Sequence, residues 1–206
     1  MEPKELFLEE RDSIVNTLKS LTPEQWDAPS LCDGWRVRDV AGHLVTGLET
    51  SLPTVLAKTA RAGFNINKAS ARAGIEAGAR PPEQLIQILA SATELTGFAK
   101  LLGYSKLVPD VTIHHEDIRR AVGLAPHVVP AERMKFSLST LRKDKGPLKA
   151  KKRSSGLRFV ATDLAWAEGE GPEVRGPAMS LLLAMGGRPA GIDECEGDGV
   201  AVLRTR

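Results

Sequence analysis

The sequence predicts an α+β protein, in which a mainly helical part is followed by a small α/β domain. Up to about residue 143, apolar side chains recur three and four positions apart, the spacing of one helix face. A basic stretch containing a glycine and a proline comes next, and strand-like runs appear only after it. These observations predict a helical bundle over residues 1–143, a basic linker over 144–156 and a small α/β domain over 157–206.

The first three helices follow from apolar stripes and start signals. Residues 3–21 carry a stripe typical of a helix. Thr22-Pro23-Glu24 supplies an N-cap, a proline at the first helical position and an acidic first turn, so a short helix is predicted to begin there. A long helix is predicted from Val37 towards Thr59, and Pro53 within it is expected to bend or end it.

The rest of the bundle is marked mainly by prolines. Residues 61–79, rich in alanine and glycine, are interpreted as a loose connector. Further helices are predicted to begin at Pro81-Pro82, at Pro109-Asp110 and at Pro130-Ala131. The segment Pro130 to about Arg142 completes the bundle.

Two strands and one helix are predicted for the C-terminal domain. Residues 157–162 and 199–204 are short apolar runs next to glycines, which is typical of strands. Between them, residues 177–185 form a predicted helix that a pair of glycines closes.

Composition narrows the class of protein. With 42% hydrophobic and 26% charged residues in a chain of 206, a globular protein with a true core is expected. The net charge of +2 is too small to indicate a nucleic-acid or membrane-surface partner, and no long apolar run predicts a membrane span. Two widely separated cysteines and no signal-peptide pattern predict a cytoplasmic protein.

Three residues have spacing that suits a metal site. On a helix, Asp110, His114 and Asp117 lie four and then three positions apart and therefore share a face. A carboxylate and an imidazole four apart can bind one ion, as paired histidines on a helix do. His43, at the edge of another apolar stripe, is the histidine expected to complete the site, with Asp39 as its hydrogen-bond partner. Three protein ligands leave a position open for water or substrate.

The same residues have plainer interpretations. His43 could be a boundary residue of the core, and Asp110, directly after Pro109, could favour the positive end of its helix. His115 points about 100° away from His114 and is expected to be exposed. Cys32 is interpreted as a packed, structural residue.

Two motifs carry a resemblance to a known family. The segment Leu31-Cys-Asp-Gly-Trp-Arg-Val-Arg-Asp-Val-Ala-Gly-His-Leu44 resembles the first metal motif of the mycothiol-dependent maleylpyruvate isomerase family. The segment Asp110-x-x-x-His114-x-x-Asp117-Ile-Arg119 resembles its second motif. The C-terminal segments around Gly171–Ala178 and Gly187-Arg188 look like the small domain that follows the bundle in this family.

The resemblance implies a DinB-like up-down four-helix bundle and a small C-terminal α/β domain. It also implies a divalent metal, usually zinc, held by His43, Asp110 and His114. This chain has Asp110 where the family pattern has glutamate, so the ligating helix must approach more closely or the coordination must be looser. Arg188 is the expected match for a family arginine that binds a substrate carboxylate.

The predicted function is that of a metal-dependent enzyme acting with a low-molecular-weight thiol such as mycothiol. The thiolate would attack a small electrophilic substrate, in an isomerase or a thiol transferase reaction, with Asp117 or Glu116 as a proton shuttle. The alternative is a non-catalytic metal-binding or dimerising DinB-like module. Small molecules are the expected partners, without nucleic acid or membrane, and the chain is expected to be a monomer or a homodimer.

Overall fold

The computed structural model describes all residues, 1–206, and contains thirteen helices and one three-stranded sheet. The chain forms two compact units, Met1–His127 and Val128–Arg206. The first unit is entirely helical and the second mixes helices with the sheet. This confirms the predicted fold class, a helical bundle followed by a smaller α/β part.

The first unit consists of eight helices. α1 begins after Glu2, whose side chain forms a capping box with Glu5, and buries a stripe that includes Ile14 and Leu18. α2 begins with the predicted N-cap Thr22. The helices are α1 (Pro3–Ser20), α2 (Pro23–Asp27), α3 (Val37–Glu49), α4 (Leu52–Arg61), α5 (Ile66–Gly78), α6 (Pro82–Ser91), α7 (Gly97–Leu102) and α8 (Tyr104–Ala121).

Several helix boundaries in this unit differ from the prediction. The long helix predicted from residue 37 to 59 is two helices, because the chain is extended at Thr50 and Ser51 caps a new helix at Leu52. The connector predicted over 61–79 contains α5, a regular helix. α8 begins at Tyr104 instead of Pro109, so this proline lies inside the helix near its start.

α3 and α5 pack closely because glycines line their contact. A Cβ atom added at Gly42 would lie 2.4 Å from the carbonyl oxygen of Gly74 and 2.4 Å from the amide nitrogen of Gly78. One added at Gly78 would lie 2.8 Å from the carbonyl oxygen of Arg38. The contacted atoms are mainly backbone, which cannot rotate away. These glycines thus fix the distance between α5 and the helix that carries His43.

Gly42→Ala is therefore expected to destabilise the protein by about 1–3 kcal/mol, the usual cost of overpacking. The methyl group must push α5 away from α3, so metal affinity should fall as well. Urea unfolding and metal titration would measure the two effects. Gly47→Ala is the matched control, since a Cβ atom added there would have Ala99 at 3.9 Å as its nearest neighbour. Gly34 does not serve as a control, because its φ of +73° would strain any other residue. Equal stability of the Gly42→Ala and Gly47→Ala variants would contradict this account.

The second unit builds a small core around a buried helix. Every residue of α11 is buried, and β1 lies between β2, which is antiparallel to it, and β3, which is parallel. The elements are α9 (Ala131–Lys143), α10 (Ala150–Ser154), β1 (Arg158–Ala161), β2 (Ala167–Glu168), β3 (Glu173–Gly176), α11 (Ala178–Met185), α12 (Pro189–Asp193) and α13 (Gly199–Arg204).

Two features of this unit differ from the sequence prediction. The run 199–204, predicted as a strand, is helix α13, with Gly199 and Leu203 buried one turn apart. A short apolar run does not distinguish the two structures by periodicity alone. In addition, α9 packs against α10 and α11, so the compact units divide after His127. Independent folding of residues 1–143 stays a prediction.

None of the thirteen helices combines the length and the apolar character that crossing a lipid bilayer requires.

Candidate metal centre

The fold brings the three predicted metal ligands together. His43 lies on α3, and Asp110 and His114 lie one turn apart on α8. One ligand atom from each side chain lies within 4.8 Å of the other two. His114 Nε2 is 3.8 Å from Asp110 Oδ1, and the rings of His43 and His114 have centroids 4.9 Å apart. His114 is buried, while His43 and Asp110 are half-buried, so the group has access to solvent.

Asp117 holds the His114 ring in place. Its Oδ2 atom accepts a hydrogen bond from His114 Nδ1 at 3.1 Å, and its side chain is fully buried. A proton on Nδ1 leaves the lone pair of a neutral imidazole on Nε2, which is the nitrogen nearer Asp110. Metal-binding histidines usually donate their other ring N–H to a carboxylate in this way. The hydrogen bond of Asp117 therefore prepares Nε2 for a cation.

The second histidine has a different hydrogen-bond partner from the one predicted. The hydroxyl group of Ser70 on α5 lies 3.1 Å from His43 Nδ1. The carboxylate of Asp39, the predicted partner, instead accepts hydrogen bonds from the backbone and side chain of Arg36 and caps α3. An acid in the first turn of a helix is satisfied locally because free N–H groups are next to it.

An aromatic ring borders the two histidines. The ring centroid of Trp35 lies 5.2 Å from that of His43 and 6.2 Å from that of His114, and it is stacked on the latter. An apolar wall limits water around the imidazoles and strengthens electrostatic interactions there. The tryptophan of the first sequence motif thus belongs to the site itself.

The electrostatics of the group favour a cation. Burial alone would lower the pKa of His114, but Cys32, Asp117 and Asp110 together raise it from its ordinary value of 6.5 to about 10. The two carboxylates that stabilise a proton on this imidazole would also stabilise a divalent ion. The donor set of two imidazoles and a carboxylate also suits zinc. The residues present therefore fit the metal that the resemblance implies.

The structure places Glu116 away from this group. Its carboxylate is buried and accepts hydrogen bonds from Arg120 Nε at 2.7 Å and from the backbone N–H of His127 at 3.1 Å. Asp117 is buried behind His114. Neither carboxylate is positioned as an open proton shuttle, so the roles predicted for these two residues lack support from the geometry.

A second buried group lies on the opposite side of α8. His115, predicted to be exposed, is fully buried, and its Nδ1 donates to Glu10 Oε1 at 2.7 Å. His127 Nε2 lies 3.0 Å from the same oxygen, and Thr17 Oγ1 lies 2.8 Å from His115 Nε2. Burial lowers the pKa of His115, so its imidazole is neutral. We call Glu10, Thr17, His115 and His127 the Glu10 network.

Arg188, the predicted substrate-binding residue, lies in the second compact unit. It occupies the N-cap position of α12, and its Nη1 donates to the carbonyl oxygen of Gly186 at 3.0 Å. Its predicted role towards a substrate carboxylate is not tested by these contacts.

Fold and site together define the class: a helical bundle carrying a three-residue candidate metal centre, followed by a small α/β unit. Residues 7–97 match the family model described as the mycothiol maleylpyruvate isomerase N-terminal domain. The matched part is 91 of the 206 residues, and the match confirms the resemblance carried by the motifs. The matched range contains His43, whereas α8 with Asp110 and His114 lies beyond it.

Solved structures extend the likeness in fold to nearly the whole chain. A crystal structure of the mycothiol-dependent maleylpyruvate isomerase is 12% identical, with a TM-score of 0.54, covering 95% of this chain and 91% of that one. A histidine-to-alanine mutant of the mycothiol-dependent maleylpyruvate isomerase gives the same coverage and TM-score at 11% identity. At this identity the likeness shows the fold alone. None of the curated proteins matches the chain.

Proposed function

We propose that the protein is a metal-dependent enzyme that acts with a low-molecular-weight thiol such as mycothiol on a small electrophilic substrate. The reaction would be an isomerisation or a thiol transfer. The main support for the proposal is that His43 on α3 lies next to Asp110 and His114 on α8, at a position that solvent can reach. The N-terminal domain family of residues 7–97 supports mycothiol as the thiol.

A divalent cation at this centre, zinc by its donor set, would lower the pKa of a bound thiol and so supply a thiolate near neutral pH. The chain itself contributes orientation. Asp117 holds His114 through Nδ1, Ser70 lies within hydrogen-bond distance of His43 Nδ1, and Trp35 limits water beside both rings. Three protein ligands favour catalysis over a closed structural site, because they leave room for an exogenous ligand.

Asp110 distinguishes this site from the glutamate pattern of the family. Aspartate is shorter by one methylene group, and α8 carries Asp110 within 3.8 Å of His114 Nε2. The Asp110 side chain is about one third exposed, at 30%. A shorter carboxylate at the open side leaves more space at the centre, which supports a substrate range different from that of glutamate-containing relatives.

Thiol binding that depends on the metal is the direct test of this function. Protein with its metal should bind mycothiol in isothermal titration calorimetry, and chelated protein should lose most of that binding, because the thiol sulfur has then no cation to coordinate. Assays of maleylpyruvate isomerisation and of mycothiol conjugation to small electrophiles would then identify the reaction. Restoring zinc to the chelated protein should restore binding.

His127→Ala is the matched control for His114→Ala in these assays, since both remove a histidine of the first unit and only one is a proposed ligand. Equal thiol binding by metal-loaded and chelated protein would refute the proposal. Metal-dependent binding without turnover of any electrophile would favour a non-catalytic metal-binding module.

A further inference from the structure

The loop before α3 holds a cysteine against the back of His114. Cys32 Sγ lies 3.6 Å from His114 Nδ1 and 3.1 Å from Asp117 Oδ2. Hydrogen bonds within the loop fix its position: the amide of Cys32 donates to Ser30 Oγ at 3.1 Å, and its carbonyl accepts from the amide of Trp35 at 2.9 Å. The thiol is half-buried, so small ions can reach it.

These three donor atoms have the spacing of one face of a tetrahedral metal site. The third edge, from His114 Nδ1 to Asp117 Oδ2, is 3.1 Å. Bond lengths of about 2.3 Å for sulfur and about 2.0–2.1 Å for nitrogen and oxygen, at tetrahedral angles, require edges of about 3.3–3.6 Å between donor atoms. The observed edges of 3.1, 3.1 and 3.6 Å come close to this without moving any helix.

We propose that Cys32, His114 and Asp117 form a second metal position, selective for thiophilic cations such as Zn²⁺ and Cd²⁺. Sulfur, nitrogen and oxygen donors favour such ions over Mg²⁺ or Ca²⁺, which prefer oxygen alone. This position differs from the candidate centre in using the other nitrogen of the His114 ring. The Cys32 thiol proton is released to solvent when the ion binds.

The two positions exclude one another. A neutral imidazole has one lone pair, so an ion on Nδ1 leaves the remaining proton on Nε2. His114 then cannot bind an ion together with His43 and Asp110. A thiophilic metal in excess would consequently remove the candidate centre by holding its shared histidine, and Asp117 would exchange its role as a hydrogen-bond acceptor for that of a ligand.

Cadmium titration of the chelated full-length protein tests the proposal. Wild-type protein should bind one Cd²⁺ per chain and show the ultraviolet charge-transfer band of a cadmium thiolate. Cys32→Ser should abolish this band. Cys195→Ser is the matched control and should keep it, because the other cysteine donates to the carbonyl oxygen of Gly191, and burial, with Glu194 nearby, raises its pKa to about 11.

Asp110→Asn separates the two positions, since Asp110 is a proposed ligand of the candidate centre alone. It should keep the band and bind Cd²⁺ with an affinity within about twofold of wild type. His114→Ala should lose the band, and circular dichroism would confirm that each variant is folded. Absence of the band in wild-type protein, its survival in Cys32→Ser, or its loss in Asp110→Asn would each overturn the proposal.

Discussion

Replacing His114 with alanine is expected to abolish metal binding. His114 is the residue that both proposed metal positions share, so its loss leaves each position with only two of its three proposed ligands. Loss of an outer hydrogen-bond partner of a ligand typically weakens binding about 10–100-fold, and loss of the ligand itself should exceed that. Elemental analysis of protein purified without chelator, followed by equilibrium dialysis against zinc, would measure the change.

His43→Ala has a more specific expected result. With Cys32 present, a thiophilic ion can move to the Cys32, His114 and Asp117 position, so zinc content can survive this substitution. In a Cys32→Ser background the same change should remove zinc as His114→Ala does, while His127→Ala should retain it. Full zinc content in the Cys32→Ser, His43→Ala double variant would disprove His43 as a ligand of the candidate centre.

Metal loss should also lower the stability of the bundle. An ion between His43 on α3 and His114 on α8 links two helices, and a ligand that binds only the folded state stabilises it by mass action. Chelation should therefore lower the melting temperature of wild-type protein and leave that of His114→Ala unchanged.

Local sequence patterns were sufficient to predict which three side chains lie together. Asp110 and His114 are four residues apart, and helical geometry alone places them on one face. The motif around His43 then supplied the third residue of the group. Each of these inferences needs only the period of one helix or one continuous motif, and neither depends on how distant helices pack.

What the sequence did not predict depends on packing between elements. Ser70 was overlooked because residues 61–79 show little apolar periodicity, although Ala69, Ala73 and Ala77 recur four apart and are buried. The contact of Cys32 with α8 joins residues more than eighty positions apart. His115 was predicted to be exposed because helices usually have one face in solvent. Residues 107–118 of α8 are instead almost all buried.

The second large effect is expected from Glu10→Gln. Glu10 is fully buried, and its carboxylate accepts hydrogen bonds from His115 and His127. An amide in its place would be a weaker acceptor, and its NH₂ group would replace one of the two oxygens that accept from the histidine rings. Each hydrogen bond to a charged group is worth about 1.5–3 kcal/mol, so a loss on the order of 3 kcal/mol is expected near neutral pH.

The pH dependence of this loss follows from the Glu10 pKa. Burial raises the pKa, but the hydrogen bonds from the two histidines and their electrostatic interaction with the carboxylate outweigh it and lower the value from 4.5 to about 2. A carboxylate whose pKa is lower in the folded state stabilises the protein above its unfolded pKa. That contribution is lost as the pH falls from about 4.5 towards about 2, and for this shift it is on the order of 3 kcal/mol.

The stability difference between wild type and Glu10→Gln should therefore be largest near pH 7 and less than half as large at about pH 3. Urea unfolding of chelated protein at both values would measure it, since chelation removes the separate effect of metal release in acid. Glu9→Gln, at an exposed position next to Glu10 on α1, is the matched control and should change stability by about 0.5 kcal/mol at most. If the loss of unfolding free energy in Glu10→Gln were the same at the two pH values, the packing of the side chain, and not its buried charge, would stabilise the Glu10 network.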